Sequence, residues 1–182
     1  MGQSSLTGDL LIAVPDLMDP NFNQSVVLVI QHDREGASGL VLNRASNTKI
    51  GELFREEENL PSGDQRIYVG GPVEGPIMAI HSCVSLAEKD VLENVYFSMK
   101  QENLIGIVSQ TLRPFRLFCG YSGWGPNQLD YELSVGGWLV VPATADLVLG
   151  DEEKLWSMVS DKIGLDIIFS KPIAQPIDPT LN

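Results

Sequence analysis

The sequence predicts an α+β fold, and three observations carry that prediction. About eight short apolar segments have strand character, against three or four with helical spacing. They do not follow the strict strand–helix alternation of a doubly wound sheet. The 17 glycines and 11 prolines fall mostly at corners between segments, which suits a curved or barrel-like sheet flanked by helices.

The elements follow in order. Leu10 to Val14 reads as a strand buried on both faces and stopped by Pro15, and Asp19-Pro20-Asn21 is a turn in which Asx side chains bond local backbone. Ser25 to Gln31 is the clearest strand, continuously aliphatic; after a turn at Asp33 to Gly36, Gly39 to Asn43 forms its hairpin partner. Asn47 or Thr48 is placed to cap a short helix carrying Ile50, Leu53 and Phe54 on one face. Arg66 to Val69 is a strand entering a backbone break at Gly70-Gly71-Pro72, and strands follow at Ile77 to His81 and Val95 to Ser98. Leu104, Ile105 and Val108 give the segment from Lys100 to Gln110 helical spacing, and Arg116 to Gly120 is again a strand. Pro126 to Leu133 reads as a short helix with proline in its first turn. Trp138 to Val141 is a strand ended by Pro142. Glu152 to Ile163 is the best helix, striped by Leu155, Trp156, Val159 and Ile163 and stopped at Gly164. The stretch 172–182, with Pro172, Pro176 and Pro179, is irregular, and residues 1–182 form one domain.

Composition narrows the function classes. With 12 Lys plus Arg against 24 Asp plus Glu, the formal net charge is −12. Such a surface repels phosphate backbones, and there is no helix-turn-helix signal, so direct nucleic-acid binding is disfavoured. Two isolated cysteines, no signal-peptide pattern and no apolar stretch of membrane-spanning length predict a soluble cytoplasmic protein without a membrane partner.

The most distinctive run is Phe118-Cys119-Gly120-Tyr121-Ser122-Gly123-Trp124-Gly125-Pro126-Asn127-Gln128-Leu129-Asp130. Its composition fits neither a regular strand nor a regular helix. If a helix begins at Pro126, the amides near Gly125 and Asn127 form an anion-attracting end, with Tyr121 and Trp124 as flat walls of a small-ligand pocket. The other reading is that glycines let the chain turn around two core aromatics and Trp124 plugs the core.

Taken together, these segments resemble the AlgH/YqgE-like family of bacterial proteins over nearly the whole chain. The resemblance rests on Gly8 to Ala13 with Pro15, Asp19-Pro20-Asn21-Phe22 with Ser25 to Leu28, His32, and Gly36 to Arg44. Tyr68-Val69-Gly70-Gly71-Pro72-Val73, His81-Ser82, Gly120 to Gly125 with Gln128-Leu129, and Trp138-Leu139 complete it. The departures are small: Ala45 follows Asn43-Arg44 where proline is usual, and Asn127 and Asp130 flank Gln128-Leu129 where glycine and glutamate are commoner. The resemblance implies a bifurcated mixed sheet with a small closed β-barrel, surrounded by helices. It also implies a transcriptional-regulator label, with no agreed enzymatic activity and no catalytic residues to carry over.

Chemical constellations are thin. His32, His81, Cys83 and Cys119 supply enough donors for zinc but lack paired-ligand spacing, so no metal and no cofactor is expected. Ser122 lacks the strict Gly-x-Ser-x-Gly elbow, because the glycine falls at Gly123 and Trp124 occupies the required position. Cys119 lies in an apolar strand, where a thiol pKa rises rather than falls. Gly70 to Pro76 is glycine-rich without a following Lys-Ser/Thr, and reads as a tight turn. Asp19, Asn21, His32, Asn43 and Arg44 all sit at strand ends around the first hairpin, either capping backbone or converging on one rim.

The residues thus define a candidate ligand-binding set of Asn21, His32, Asn43, Arg44, Tyr121, Trp124 and Gln128. The leading expectation is a non-enzymatic binding or regulatory protein with a protein or small-molecule partner and at most an indirect role in transcription. The alternative is a small-ligand or nucleotide binder, or a hydrolase, with its site near Trp124 and His32.

Overall fold

The structure is a computed structural model that describes residues 4–14, 17 and 19–164. Its strands are β1 Asp9–Ala13, β2 Val26–Asp33, β3 Gly36–Val41, β4 Ala45–Lys49, β5 Arg66–Val69, β6 Val73–His81, β7 Lys89–Leu92, β8 Val95–Ser98, β9 Phe115–Trp124 and β10 Trp138–Pro142. The helices are α1 Ile50–Leu53, α2 Gln101–Ser109, α3 Gln128–Ser134, α4 Ala145–Leu149 and α5 Glu152–Ile163. The fold is α+β: the sheet runs β10-β1-β2-β3-β9-β6-β8-β7, antiparallel throughout, with β4 and β5 branching from it.

The branch point lies on β9. Near its end, Ser122 and Trp124 pair with Gly39 and Ala37 of β3. Nearer its start, Phe118 and Cys119 pair in parallel with Tyr68 and Val69 of β5. Between the two ladders, Gly70 and Gly71 fill the crotch. The Gly70 carbonyl accepts from Val41 N at 2.9 Å and from Ser122 Oγ at 3.1 Å, while Gly70 N donates to Cys119 O at 3.0 Å. A Cβ on Gly70 would lie 2.3 Å from Gly120 O, and one on Gly71 (φ +156°) 2.3 Å from the Tyr121 carbonyl carbon. Only glycine permits that approach. The Gly-Gly-Pro break is therefore a strand ending against another strand, its backbone groups spent on the sheet rather than offered to a phosphate.

The sheet curls into a half-barrel. A Cβ on Gly8, just before β1, would stand 2.6 Å from Val91 O in β7, so opposite ends of the strand path approach each other. Among the described residues no ladder joins β7 to β10, so the expected closed barrel is not formed by hydrogen-bonded strands. Among the described residues there are five α-helices against ten strands.

Three apolar clusters hold the arrangement. Inside the curl, Leu10, Ile12, Leu28, Leu40, Ile80 and Phe118 pack with Leu147 and Val148 of α4 and Leu155 and Val159 of α5. On the outer face of β1 to β3, Leu11, Val27, Val29 and Val41 pack with Trp124, Leu129 and Trp138 under α3. A third cluster joins Ile50, Ile67 and Leu117 to Leu104, Ile107 and Val108 of α2. Because β1 and β2 are covered on both faces, they read as continuous apolar runs. Each fully buried Leu, Ile or Phe contributes about 1.5–3 kcal/mol of apolar burial.

Several expectations need correction. The distinctive run is strand through Trp124, because the sheet absorbs its glycines: Gly120 takes φ +72° at the branch and Ser122 is wholly buried. The helix expected from Pro126 begins at Gln128 and has 7 residues, with Asn127 before it in the left-handed region at φ 61°. Residues 45–49 form a strand, so Lys49 rather than Asn47 or Thr48 precedes α1. Strand β7 and helix α4 were not anticipated. Cys119 is exposed, not enclosed. The stripe of α5 is present as buried Leu155 and Val159 with Trp156 packed beside them; the Ile163 side chain and the proline-rich stretch 172–182 lie outside the described residues. Among the described residues, no helix is long and apolar enough to cross a membrane.

Candidate functional site around Tyr121 and Trp124

Trp124 is 5% exposed and Trp138 3% exposed, and both indole N–H groups donate to one carboxylate oxygen, Glu132 Oε2, at 2.9 and 2.8 Å. The other oxygen, Oε1, accepts from Gln128 Nε2 at 3.0 Å, while Gln128 Oε1 accepts from Gly125 N at 2.9 Å. Gln128 and Glu132 are one helical turn apart, so α3 presents both toward the strand end. Phe22 completes the cluster, stacked on Trp124 at 6.0 Å and edge-on to Trp138 at 5.3 Å. Trp124 is thus packed as a core plug, although it also lines a small cleft with Gln31, Asp33 and Ser38, and the amide of Gly125 is engaged by Gln128.

The polar residues of the first hairpin divide into two groups. Asn43 Oδ1 accepts from Val26 N at 3.0 Å and its Nδ2 donates to Gln24 O at 2.8 Å, fastening the entry to β2. Arg44 reaches Asn23 O at 3.5 Å beside it, and exposed Asn21 donates its N–H to Asp19 Oδ1 at 2.8 Å. His32 lies at the far end of β2, roughly 20 Å away at the ordinary strand rise. There its Nδ1 accepts from Leu6 N at 3.2 Å, which places the ring proton on Nε2, facing Asp130 Oδ1 at 3.5 Å. Asn43 and Arg44 thus both reach the backbone of the turn before β2, where Asn21 bonds only its neighbour Asp19; His32 joins α3 instead.

Tyr121 points elsewhere. With Ile30, Ser38, Gly39, Leu40, Pro76, Met78, Phe97 and Met99 it lines an apolar pocket of about 230 Å³. Met99 is 50% exposed at the pocket's edge, whereas Met78 is buried. The pocket is lined from β2, β3, β6, β8 and β9. Sequence reading missed every residue of this site except Tyr121. Met99 lies in the link between β8 and α2, and no periodicity marks such a position.

The two serines that bear on nucleophilic chemistry, Ser98 and Ser122, are both wholly buried and hydrogen-bonded. His81 and Ser98, both wholly buried, lie 2.9 Å apart between Nε2 and Oγ. His81 Nδ1 accepts from Cys83 N at 3.2 Å, so Nε2 carries the proton and donates to Ser98, whose hydroxyl donates to Leu86 O at 2.6 Å. A histidine already protonated on that nitrogen cannot take the serine's proton. Burial pushes the His81 pKa down, opposed weakly by the charge of Glu88 and the Cys83 hydrogen bond. Ser122 spends its hydroxyl on Gly70 O. Among the described residues, no three His, Cys, Asp or Glu side chains gather as a metal set.

The model of the AlgH-like family (DUF179) matches residues 10–168. The chain belongs to the AlgH-like family. A UPF0301 protein of Myxococcus xanthus is 38% identical over 168 residues, covering 89% of this chain and 93% of that one. A UPF0301 protein of Thermobifida fusca is 36% identical over 196 residues, covering 100% and 98%. The solution structure of the AlgH protein from Pseudomonas aeruginosa superposes with a TM-score of 0.74 at 28% identity, covering 96% of this chain and all of that one. A crystal structure from Corynebacterium diphtheriae, at 21% identity and TM-score 0.73, shares the fold.

Proposed function

We propose that this AlgH-like protein is a non-enzymatic binding protein that receives an apolar group in the Tyr121 pocket. The group belongs either to a small molecule or to the side chain of a protein partner. One observation carries the reading: the pocket is lined almost wholly by apolar side chains, with a phenol and two methionines able to adapt to a guest. The buried, wrongly protonated His81–Ser98 pair supports the absence of hydrolytic chemistry. A role in transcription is indirect on this reading, since the net charge of −12 opposes duplex binding. Within it, the curled sheet acts as a barrel-like scaffold whose wall holds the pocket, in a soluble cytoplasmic protein.

The test is a titration of the protein, labelled at its methionine methyl groups, with small aromatic and aliphatic fragments and with an apolar peptide library. Saturable shifts of Met78 and Met99 support the reading, and the arm that saturates identifies the source. Shifts elsewhere, or none, overturn it. Fluorescence anisotropy with duplex DNA should show no salt-sensitive binding; measurable salt-sensitive binding would contradict the indirect role.

A further inference from the structure

A second cleft, of about 380 Å³, opens where β4, β5 and β9 meet the turn between α4 and α5, and it shares no lining residue with the Tyr121 pocket. Its floor is Arg116, 5% exposed, one of the few charged side chains the fold encloses. The Arg116 guanidinium donates from Nη1 to Leu42 O at 3.0 Å and from Nη2 to Gly150 O at 2.6 Å. It lies 5.2 Å from the centroid of the Tyr68 ring. Tyr68 in turn donates its hydroxyl to Glu152 Oε2 at 2.9 Å. Burial pushes the phenol pKa up to about 12, so it stays a neutral donor at physiological pH. Exposed Arg66 and Gln65 stand at the opening.

The charge balance of this cleft differs from that of the molecule. Arg66 and Arg116 are met there by Glu152 in the lining and by the charge of Asp151 beside it, a near-neutral set in a chain that carries −12 as a whole. The bonds of Arg116 to Leu42 O and Gly150 O engage only part of a five-donor group. Burying a guanidinium is costly, and a fold retains one where it is held by good geometry. Here, held by two carbonyls and an aromatic face, it lines a cavity large enough for a small metabolite.

We infer that this cleft binds a small organic anion, carrying a phosphate or carboxylate group that Arg116 and Arg66 receive. Gln65 and the cleft wall supply orientation. Glu152 sits beside the anion's position and tunes affinity downward, limiting occupancy to ligands whose charge the two arginines outweigh.

The test uses the full-length protein with inorganic phosphate, pyrophosphate and succinate as probes, at constant ionic strength against a chloride control. Amide chemical shifts and thermal shift are recorded together. Saturating perturbations of Gln65 to Tyr68, Phe115 to Leu117 and Gly150 are expected with at least one probe. Arg116→Gln risks the fold, so two milder variants carry the decision. Arg66→Gln should weaken binding about tenfold, the scale of one charge-assisted hydrogen bond, at unchanged Tm. Glu152→Gln keeps an acceptor for Tyr68 and should tighten binding. Perturbation without saturation up to about 10 mM would overturn the site, as would saturation insensitive to both substitutions.

Discussion

Glu132 is the residue whose removal tests the packing account most sharply. Its carboxylate receives two indole N–H groups, from Trp124 and Trp138, plus the Gln128 amide. Glu132→Ala leaves both indole donors enclosed without partners, and each such stranded group costs about 1–3 kcal/mol, or about 2–6 kcal/mol together. For a domain of this size each kcal/mol moves Tm by about 2–4 °C, so a fall of roughly 5–20 °C is expected. Because that loss is a large part of a typical total of about 5–15 kcal/mol, Glu132→Gln serves as the milder partner. It keeps an oxygen for the indoles but loses the charge, and should cost about 1–2 kcal/mol. Urea unfolding followed by circular dichroism measures both, with an unchanged m value certifying a stability effect. If Glu132→Ala lies within about 0.5 kcal/mol of the parent, where ordinary surface substitutions fall, the reasoning that Trp124 is anchored as a core plug fails.

Other predictions follow from the same geometry. Gly71→Ala forces a Cβ to 2.3 Å from the Tyr121 carbonyl carbon, against the Tyr121–Ser122 peptide, so the variant should fail to accumulate as folded protein; near-parental Tm would refute the strand-fork packing. His81 is kept neutral by burial, so its folded pKa lies below its unfolded value of 6.5. Stability is then full above that pH and falls as the pH drops from it toward the folded pKa, by at most about 1.4 kcal/mol per pH unit. A flat urea midpoint over that range, or one rising on acidification, would contradict the placement. Tyr68 should resist ionisation until about pH 12 in an ultraviolet difference titration; a midpoint near 10 would show the phenol to be free of its enclosed setting.

Much of the fold was legible because burial on both faces writes itself plainly into sequence. Leu10 to Ala13 and Val26 to Ile30 are covered on both sides, so an unbroken aliphatic run could only be a central strand. The hairpin of β2 and β3 and the stripe of α5 followed from local turn chemistry and spacing. What stayed hidden depends on distant partners. β9 continues through a glycine-rich run because β5 and β3 share its edge on either side of Gly120, a fact of topology absent from the local pattern. Strand β4 has only small and polar residues, Ala45 to Lys49, and is strand because β5 pairs with it. The candidate site was half legible. Gln128 and Trp124 do meet, but through Glu132, whose helical spacing from Gln128 was visible in the chain. His32 and Asn43 looked like neighbours because both flank a hairpin, yet they mark opposite ends of β2. The Tyr121 pocket gathers one to three residues from each of five strands, so no segment announces it.

The most direct test of the binding proposal is the methionine-methyl titration repeated on Met99→Lys. That change places a charge at the mouth of the Tyr121 pocket at a half-exposed position, so the fold should be kept. The account predicts that a fragment or peptide saturating the Met78 signal in the parent protein no longer does so in the variant, at unchanged Tm. Equal saturation of Met78 in both proteins would contradict it.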